Sequence, residues 1–246
     1  MLAASAVLLQ TCYPLTSGHP RDVLTVVTVG TFFAASAAHA LVWRGAAWAA
    51  VLVTVSVATG LAVEALGTAT GVPFGQYSYD ASLGWQLLGV PVIIPLAWAM
   101  MAYPALLVSR LLVSGTVWRV LVAAVALSAW DLFLDPQMVA AGHWRWTHPS
   151  PSLPGVPGVP LTNYAGWLVT AIVLMAVLTL LLPEREDHSR PGRADDRIPY
   201  ALYLWTYFSS VLANLVFFGR PAVALIGGIG MGVVAIPLAC RLLRGR

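Results

Sequence analysis

Residues 120–137 read VLVAAVALSAWDLFLDPQ. The run is apolar enough for a bilayer interior as far as Asp131, and a second acid, Asp135, follows four residues later. In a helix that spacing stacks both carboxyl groups on one face, a turn apart. An acid at mid-bilayer costs roughly 2.5–3.5 kcal/mol on insertion scales, so a span holding two of them suggests chemistry or a polar path beyond simple anchoring. The pair should repel, and at low dielectric one member is expected to keep its proton. A protonated carboxylic acid beside an apolar pocket suits acid chemistry on a lipid-like molecule.

Outward from that stretch the whole chain has the same character. Hydrophobic residues make up 59% and charged residues 9% of the 246 residues, with a mean hydropathy of +0.80. This is the composition of a polytopic membrane protein. No segment is polar enough for a separate soluble domain, so residues 1–246 are expected to form one integral membrane domain. Uncharged or nearly uncharged runs occur at 2–17, 23–42, 46–66, 90–108, 120–134, 164–182, 199–218 and 222–240. Most approach the roughly 20 residues that a helix needs to cross about 30 Å of hydrocarbon. The expected fold is an all-α bundle of about eight transmembrane helices, or seven if the short first run does not span. That first run lacks the positive n-region and clear cleavage site of a signal peptide.

All thirteen basic residues are arginines. With eight spans and the N-terminus inside, ten fall on the cytoplasmic side, and only Arg21, Arg145 and Arg220 fall outside. This bias orients a multi-pass protein of the cell membrane with both termini cytoplasmic. It makes the mixed-charge loop 183–197 a solvated cytoplasmic connector and turns 67–89 and 136–162 outward. Scattered arginines form no nucleic-acid patch. Cys12 and Cys240 fall near opposite faces, which argues against a disulfide, and their spacing suits neither a metal nor a redox motif.

The two outward loops are dense in Trp, Tyr, Gly and Pro. An interfacial aromatic belt is the plain reading, and a re-entrant cover over the outer ends of the helices is the sharper one. Glu64, at the end of the third span, reaches the same end as Asp131 and Asp135. Each acid has a duller alternative. Glu64 could snorkel to the surface, and Asp135, preceding Pro136, could be a solvated helix terminus. Asp131, one turn deeper, is the first choice for an acid. Asp80 reads as a turn residue, His39 as an interface histidine, and His143 and His148 carry only a weak metal signal because a proline-rich loop fixes no ligand geometry. Asn163 opens the sixth span as an N-cap, and Gly228 and Gly232 give GxxxG spacing for close helix packing.

Four blocks carry a family resemblance: GVPFGQYSYD (71–80), LLGVPVIIPLAWAMMAYPA (87–105), AWDLFLDPQMVAAGHWRW (129–146) and GVPLTNYAGW (158–167). In this order they resemble the carotenoid biosynthesis membrane proteins, a family that includes carotenoid 1,2-hydratases. The resemblance implies a lipophilic carotenoid substrate, membrane lipid around the protein, and other enzymes of carotenoid synthesis as neighbours. It also implies a cofactor-free, metal-free reaction that adds water to the terminal C=C of an acyclic end group, giving a tertiary alcohol. In that reaction Asp131 or Asp135 would be the acid. Glu64 or the second aspartate would orient or deprotonate the water. The cation and chain would lie against Tyr77, Tyr79, Trp98, Tyr103, Trp130, Trp144 and Trp146, with Asn163 close by. Two other classes stay open: a prenyltransferase that uses Asp-x-x-x-Asp to hold magnesium, and a non-catalytic carotenoid-binding or transport protein.

Overall fold

The computed structural model describes residues 1–182 and 195–244; most of the expected 183–197 connector, with Arg185, Arg190 and Arg193, and also Arg246, lies outside the described residues. Eight α-helices are described: α1 (Leu2–Cys12), α2 (His19–Arg44), α3 (Ala46–Thr70), α4 (Ile93–Leu112), α5 (Thr116–Ala141), α6 (Leu161–Leu181), α7 (Arg197–Leu212) and α8 (Pro221–Arg244). Seven of them, α2 to α8, are long and apolar enough to cross a membrane once the π-helical turn Ala213–Phe217 is counted with α7. The first falls short. Pro14 and Gly18 break the apolar run 2–17, leaving an eleven-residue helix and one 3-10 turn, about 16 Å of helix against the 30 Å required.

Helix α4 is the axis of the bundle and packs on α2, α3, α5 and α7. Its side chains from Ala97 to Ser109 are buried on every face, as expected of a helix apolar all round. Helix α5 packs on α4, α6 and α8. The closest approach to α8 is not at the GxxxG pair. A methyl group at Gly227 or Gly230 would lie 2.6 Å from Phe133 or 2.4 Å from Leu132, whereas Gly228 and Gly232 face Val211 and Tyr207 of α7 with more room. The small residues therefore serve two neighbours, with the tighter seam against α5.

One boundary differs from the sequence expectation in a way that matters for the site. The run 120–134 was expected to end at Pro136, but α5 continues to Ala141 with the proline inside it. A helical proline lacks the N–H that would bond the carbonyl four residues back. Pro136 is buried, and its own carbonyl accepts a hydrogen bond from Arg220 Nη1 at 3.4 Å. Asp135 is thus an interior helix residue rather than a solvated terminus, and is only 3% exposed.

The two aromatic-rich loops expected to face outward fold back over this end of the bundle and join. β1 (Tyr77–Tyr79) pairs antiparallel with β4 (Trp144–Trp146), setting Tyr77 against Trp146, Ser78 against Arg145 and Tyr79 against Trp144. Two short hairpins flank the ribbon, β2 (Gln86–Leu87) with β3 (Val90–Pro91), and β5 (Ser152–Leu153) with β6 (Val156–Pro160). Strand alternation explains the aromatic spacing. Tyr77, Tyr79, Trp144 and Trp146 point into the bundle, while Arg145 points away from it.

Candidate active site

Glu64 lies on the buried face of α3 that runs Ser56, Gly60, Glu64, Gly67. The small residues let α4 and the ribbon come close. A methyl group at Gly60 would lie 2.9 Å from the Trp98 ring, and one at Gly67 would lie 2.8 Å from the Tyr77 hydroxyl. Trp98, seated in the Gly60 notch, donates from Nε1 to Glu64 Oε1 at 3.0 Å. From the ribbon, the Tyr77 and Tyr79 hydroxyls both donate to Glu64 Oε2, at 2.5 and 2.7 Å. Three donors aimed at one carboxyl group favour its charged form against the cost of burial. Burial, and then the Glu64 charge, push both tyrosines well above the usual phenol range, so they remain donors. Gly60→Val should displace Trp98 and lower stability by about 1–3 kcal/mol, the usual cost of overpacking, read as a lower Tm in detergent.

Asp131 and Asp135 face α6. The Asn163 side-chain amide donates to Asp131 Oδ2 at 2.9 Å and to Asp135 Oδ2. Trp144 Nε1 of the ribbon donates to Asp135 Oδ1 at 3.0 Å. One amide group thus holds both Oδ2 atoms and brings the two carboxyl groups side by side. Asp131 Oδ1 is buried and has no partner among the described residues. Asn163 is not an N-cap: Pro160 holds that position, and Asn163 is the third residue of α6.

A cavity of about 160 Å³ lies between the two acid centres, room for roughly ten waters. Glu64 and Asp135 line it, together with Tyr77, Tyr79, Trp98, Trp130, Trp144, Trp146 and Asn163; Asp131 does not. Trp167, on the Asn163 face of α6 one turn on, stacks on Trp98 with ring centroids 4.0 Å apart and 8° between the planes, and Trp130 meets it edge-on at 6.3 Å. Trp167 and Phe74 line the cavity but were not singled out in the sequence, although the spacing Asn163 to Trp167 signals one helix face. Among the described residues, no arginine lines the cavity.

Tyr103 is not part of this site. It lies five residues beyond Trp98 on α4, toward the other end of the bundle, where its hydroxyl is 2.8 Å from His39 Nδ1 and its ring packs edge-on against Trp48. His39 also bonds the Asp195 carbonyl at 2.8 Å, and Arg44 pairs with Asp196 at 2.5 Å. This far cluster fastens the start of α7 to α2. Trp98 and Tyr103, five residues apart on α4, thus serve opposite ends.

His143 fastens the ribbon. It is fully buried, with Nδ1 2.9 Å from Ser82 Oγ and Nε2 3.7 Å from Asp22 Oδ1 of α2. Burial holds its imidazole below the usual histidine range despite Asp22. Asp80 is the turn residue expected. Its Oδ1 accepts from the Ser82 N–H at 2.9 Å, which draws its carboxyl below the usual range.

Comparison with known proteins gives the same family as the four motif blocks. Residues 23–235 match the model of the carotenoid biosynthesis protein family. The bisanhydrobacterioruberin hydratase of Haloarcula japonica is 32% identical over 169 residues, which is 65% of this chain and 56% of that protein. The chain therefore spans a little over half the length of this curated relative. No solved structure matches.

Proposed function

Since the chain belongs to the carotenoid biosynthesis protein family, we propose that it adds water to the terminal C=C of an acyclic carotenoid end group, without a cofactor. The observation that carries this reading is the position of Asp135. It shares the Asn163 amide with Asp131, accepts from Trp144 Nε1, and faces a cavity walled by aromatic rings with Glu64 also lining it. The similarity to a hydratase agrees with it.

In this reading the proton shared by the aspartates leaves from Asp135 and bonds to the less substituted carbon of the trisubstituted alkene. The alkene π electrons form that C–H bond, leaving a tertiary carbocation at the other carbon. Trp98, Trp130 and Trp167 line the cavity beside it, and a π face turned to the cation contributes about 2 kcal/mol when desolvated. Glu64 contributes a fixed negative charge already oriented by three donors, the kind of preorganised electrostatics that needs no rearrangement during reaction. With three of its acceptor sites filled it is better suited to orienting water than to binding a proton. Water oxygen bonds to the cation and loses a proton to the Asp131/Asp135 pair, which restores the acid. Asp131 holds the proton in reserve and Asp135 delivers it.

A diphosphate substrate finds no arginine in the cavity among the described residues, which weighs against the prenyltransferase reading. Expression in cells that accumulate lycopene should yield carotenoids heavier by one water or two, read by mass spectrometry. Unchanged pigment that co-purifies with the protein would instead favour a binding protein.

A further inference from the structure

The aromatic ribbon that covers the acids also closes the direct way in for water. Tyr77, Trp144 and Trp146 are each at most 8% exposed, and three of the four inward rings of the ribbon are hydrogen-bonded to Glu64 or Asp135. Yet the cavity does not stop at the acids. It continues to a wall formed by the end of α1, the outer half of α2 and the end of α7.

Three polar atoms of that wall stand out. Gln10 Oε1, Tyr13 Oη and Thr28 Oγ1 are buried and have no hydrogen-bond partner among the described residues. Tyr13 and Thr28 are each 8% exposed, and all three side chains line the same cavity as Glu64 and Asp135. They come from α1, the turn after it and α2, so no single helix repeat explains their convergence. Nearby, Thr25 and Thr206 donate back to their own helices at 2.9 Å, which leaves their oxygens able to accept. A polyene has no polar group to satisfy such atoms. A buried polar atom without a partner costs about 1–3 kcal/mol, and the ligand that answers scattered donors and acceptors in a small space is water.

We propose that the α1–α2–α7 wall is a water site that admits the nucleophile to the acid cluster from the flank, while the ribbon stays closed. Its use in catalysis rests on the hydratase reading; the water site itself does not. The division of labour gives the lid side dry rings for the cation and the flank an orderly supply of water.

The test is hydroxyl-radical footprinting of the full chain in lipid nanodiscs by X-ray radiolysis of water, read by peptide mass spectrometry. Radicals form from the water adjacent to a side chain, so Tyr13 should be oxidised severalfold faster than Tyr203. Tyr203 is an equally suitable target that is fully buried, with its hydroxyl on the Ala126 carbonyl at 3.2 Å. The double variant Gln10→Leu, Thr28→Val removes two of the three polar atoms with little change of shape and should bring Tyr13 down to the Tyr203 rate without lowering Tm. If Tyr13 is no faster than Tyr203, or is unmoved by the double variant, the water site is overturned. A second arm measures turnover, where the double variant should lower kcat severalfold and leave KM for the carotenoid unchanged. Normal kcat in a variant with the footprint erased would overturn the route. Wild-type protein that shows the footprint and no hydration would sink the hydratase reading and leave the water site standing.

Discussion

Asp135→Asn should abolish hydration while the protein still folds and inserts. Asparagine keeps the shape of the side chain and can still accept from Trp144 Nε1, which lies 3.0 Å from Asp135 Oδ1, but it cannot deliver a proton to an alkene. Removing a general acid costs typically 10²–10⁴-fold, and water is too weak an acid to substitute for it. Asp131→Asn should also be severely impaired, through a different cause. Asp131 does not line the cavity, so its loss removes the proton-sharing partner and leaves Asp135 in place. The double variant should be little worse than Asp135→Asn, because groups that act as a unit are not additive. Product formed per unit of membrane-inserted protein measures all three. If Asp131→Asn is inactive and Asp135→Asn is near normal, the acid is the deeper residue; if both are active, the mechanism falls.

Glu64 should separate structure from chemistry by the choice of substitution. Glu64→Ala removes the acceptor for Trp98, Tyr77 and Tyr79 together. Leaving buried donors unsatisfied costs about 1–3 kcal/mol each, so this variant should melt well below the parent and exchange amide hydrogens in Tyr77–Tyr79 quickly. Glu64→Gln is different. Its carbonyl can still accept from Trp98, and its amide can donate to tyrosine hydroxyls, which accept as readily as they donate. The ribbon should stay closed and Tm should fall only modestly. Turnover should nonetheless drop by roughly 10²-fold, the scale for removing one preorganised group that stabilises transition-state charge. A Glu64→Gln protein with a normal melt and normal turnover would remove Glu64 from the chemistry.

The membrane bundle was legible because spans announce themselves by length and lack of charge, and the all-α class followed from them; the family came from the four motif blocks. Helix boundaries were less so. Pro136 reads as a stop in any sequence, and nothing local reveals that α5 runs on to Ala141. The acids were legible as a group because three of them share one end of the spans. Which acid meets the cavity was not: Asp131 and Asp135 lie on one face, and the difference between them is set by where the ribbon and α6 come to rest. Pairing within the ribbon was also hidden, since short aromatic stretches such as Tyr77–Tyr79 carry little strand signal of their own. Tyr103 was drawn into the site by its nearness to Trp98 in the chain, although five residues turn a helix by about 140° and set the two side chains on different faces.

The ribbon has a consequence for how such a protein comes into being. Its two strands, Tyr77–Tyr79 and Trp144–Trp146, flank α4 and α5 in the chain, so they cannot pair until both helices have crossed and returned. Long-range closures of this kind come late, after local helices have formed. During synthesis the carboxyl groups therefore lie uncovered until β4 has emerged. The chamber is finished only once α6 supplies Asn163 and Trp167. A truncated or stalled chain would hold the acids without their enclosure, and competence would arrive in one late event of assembly.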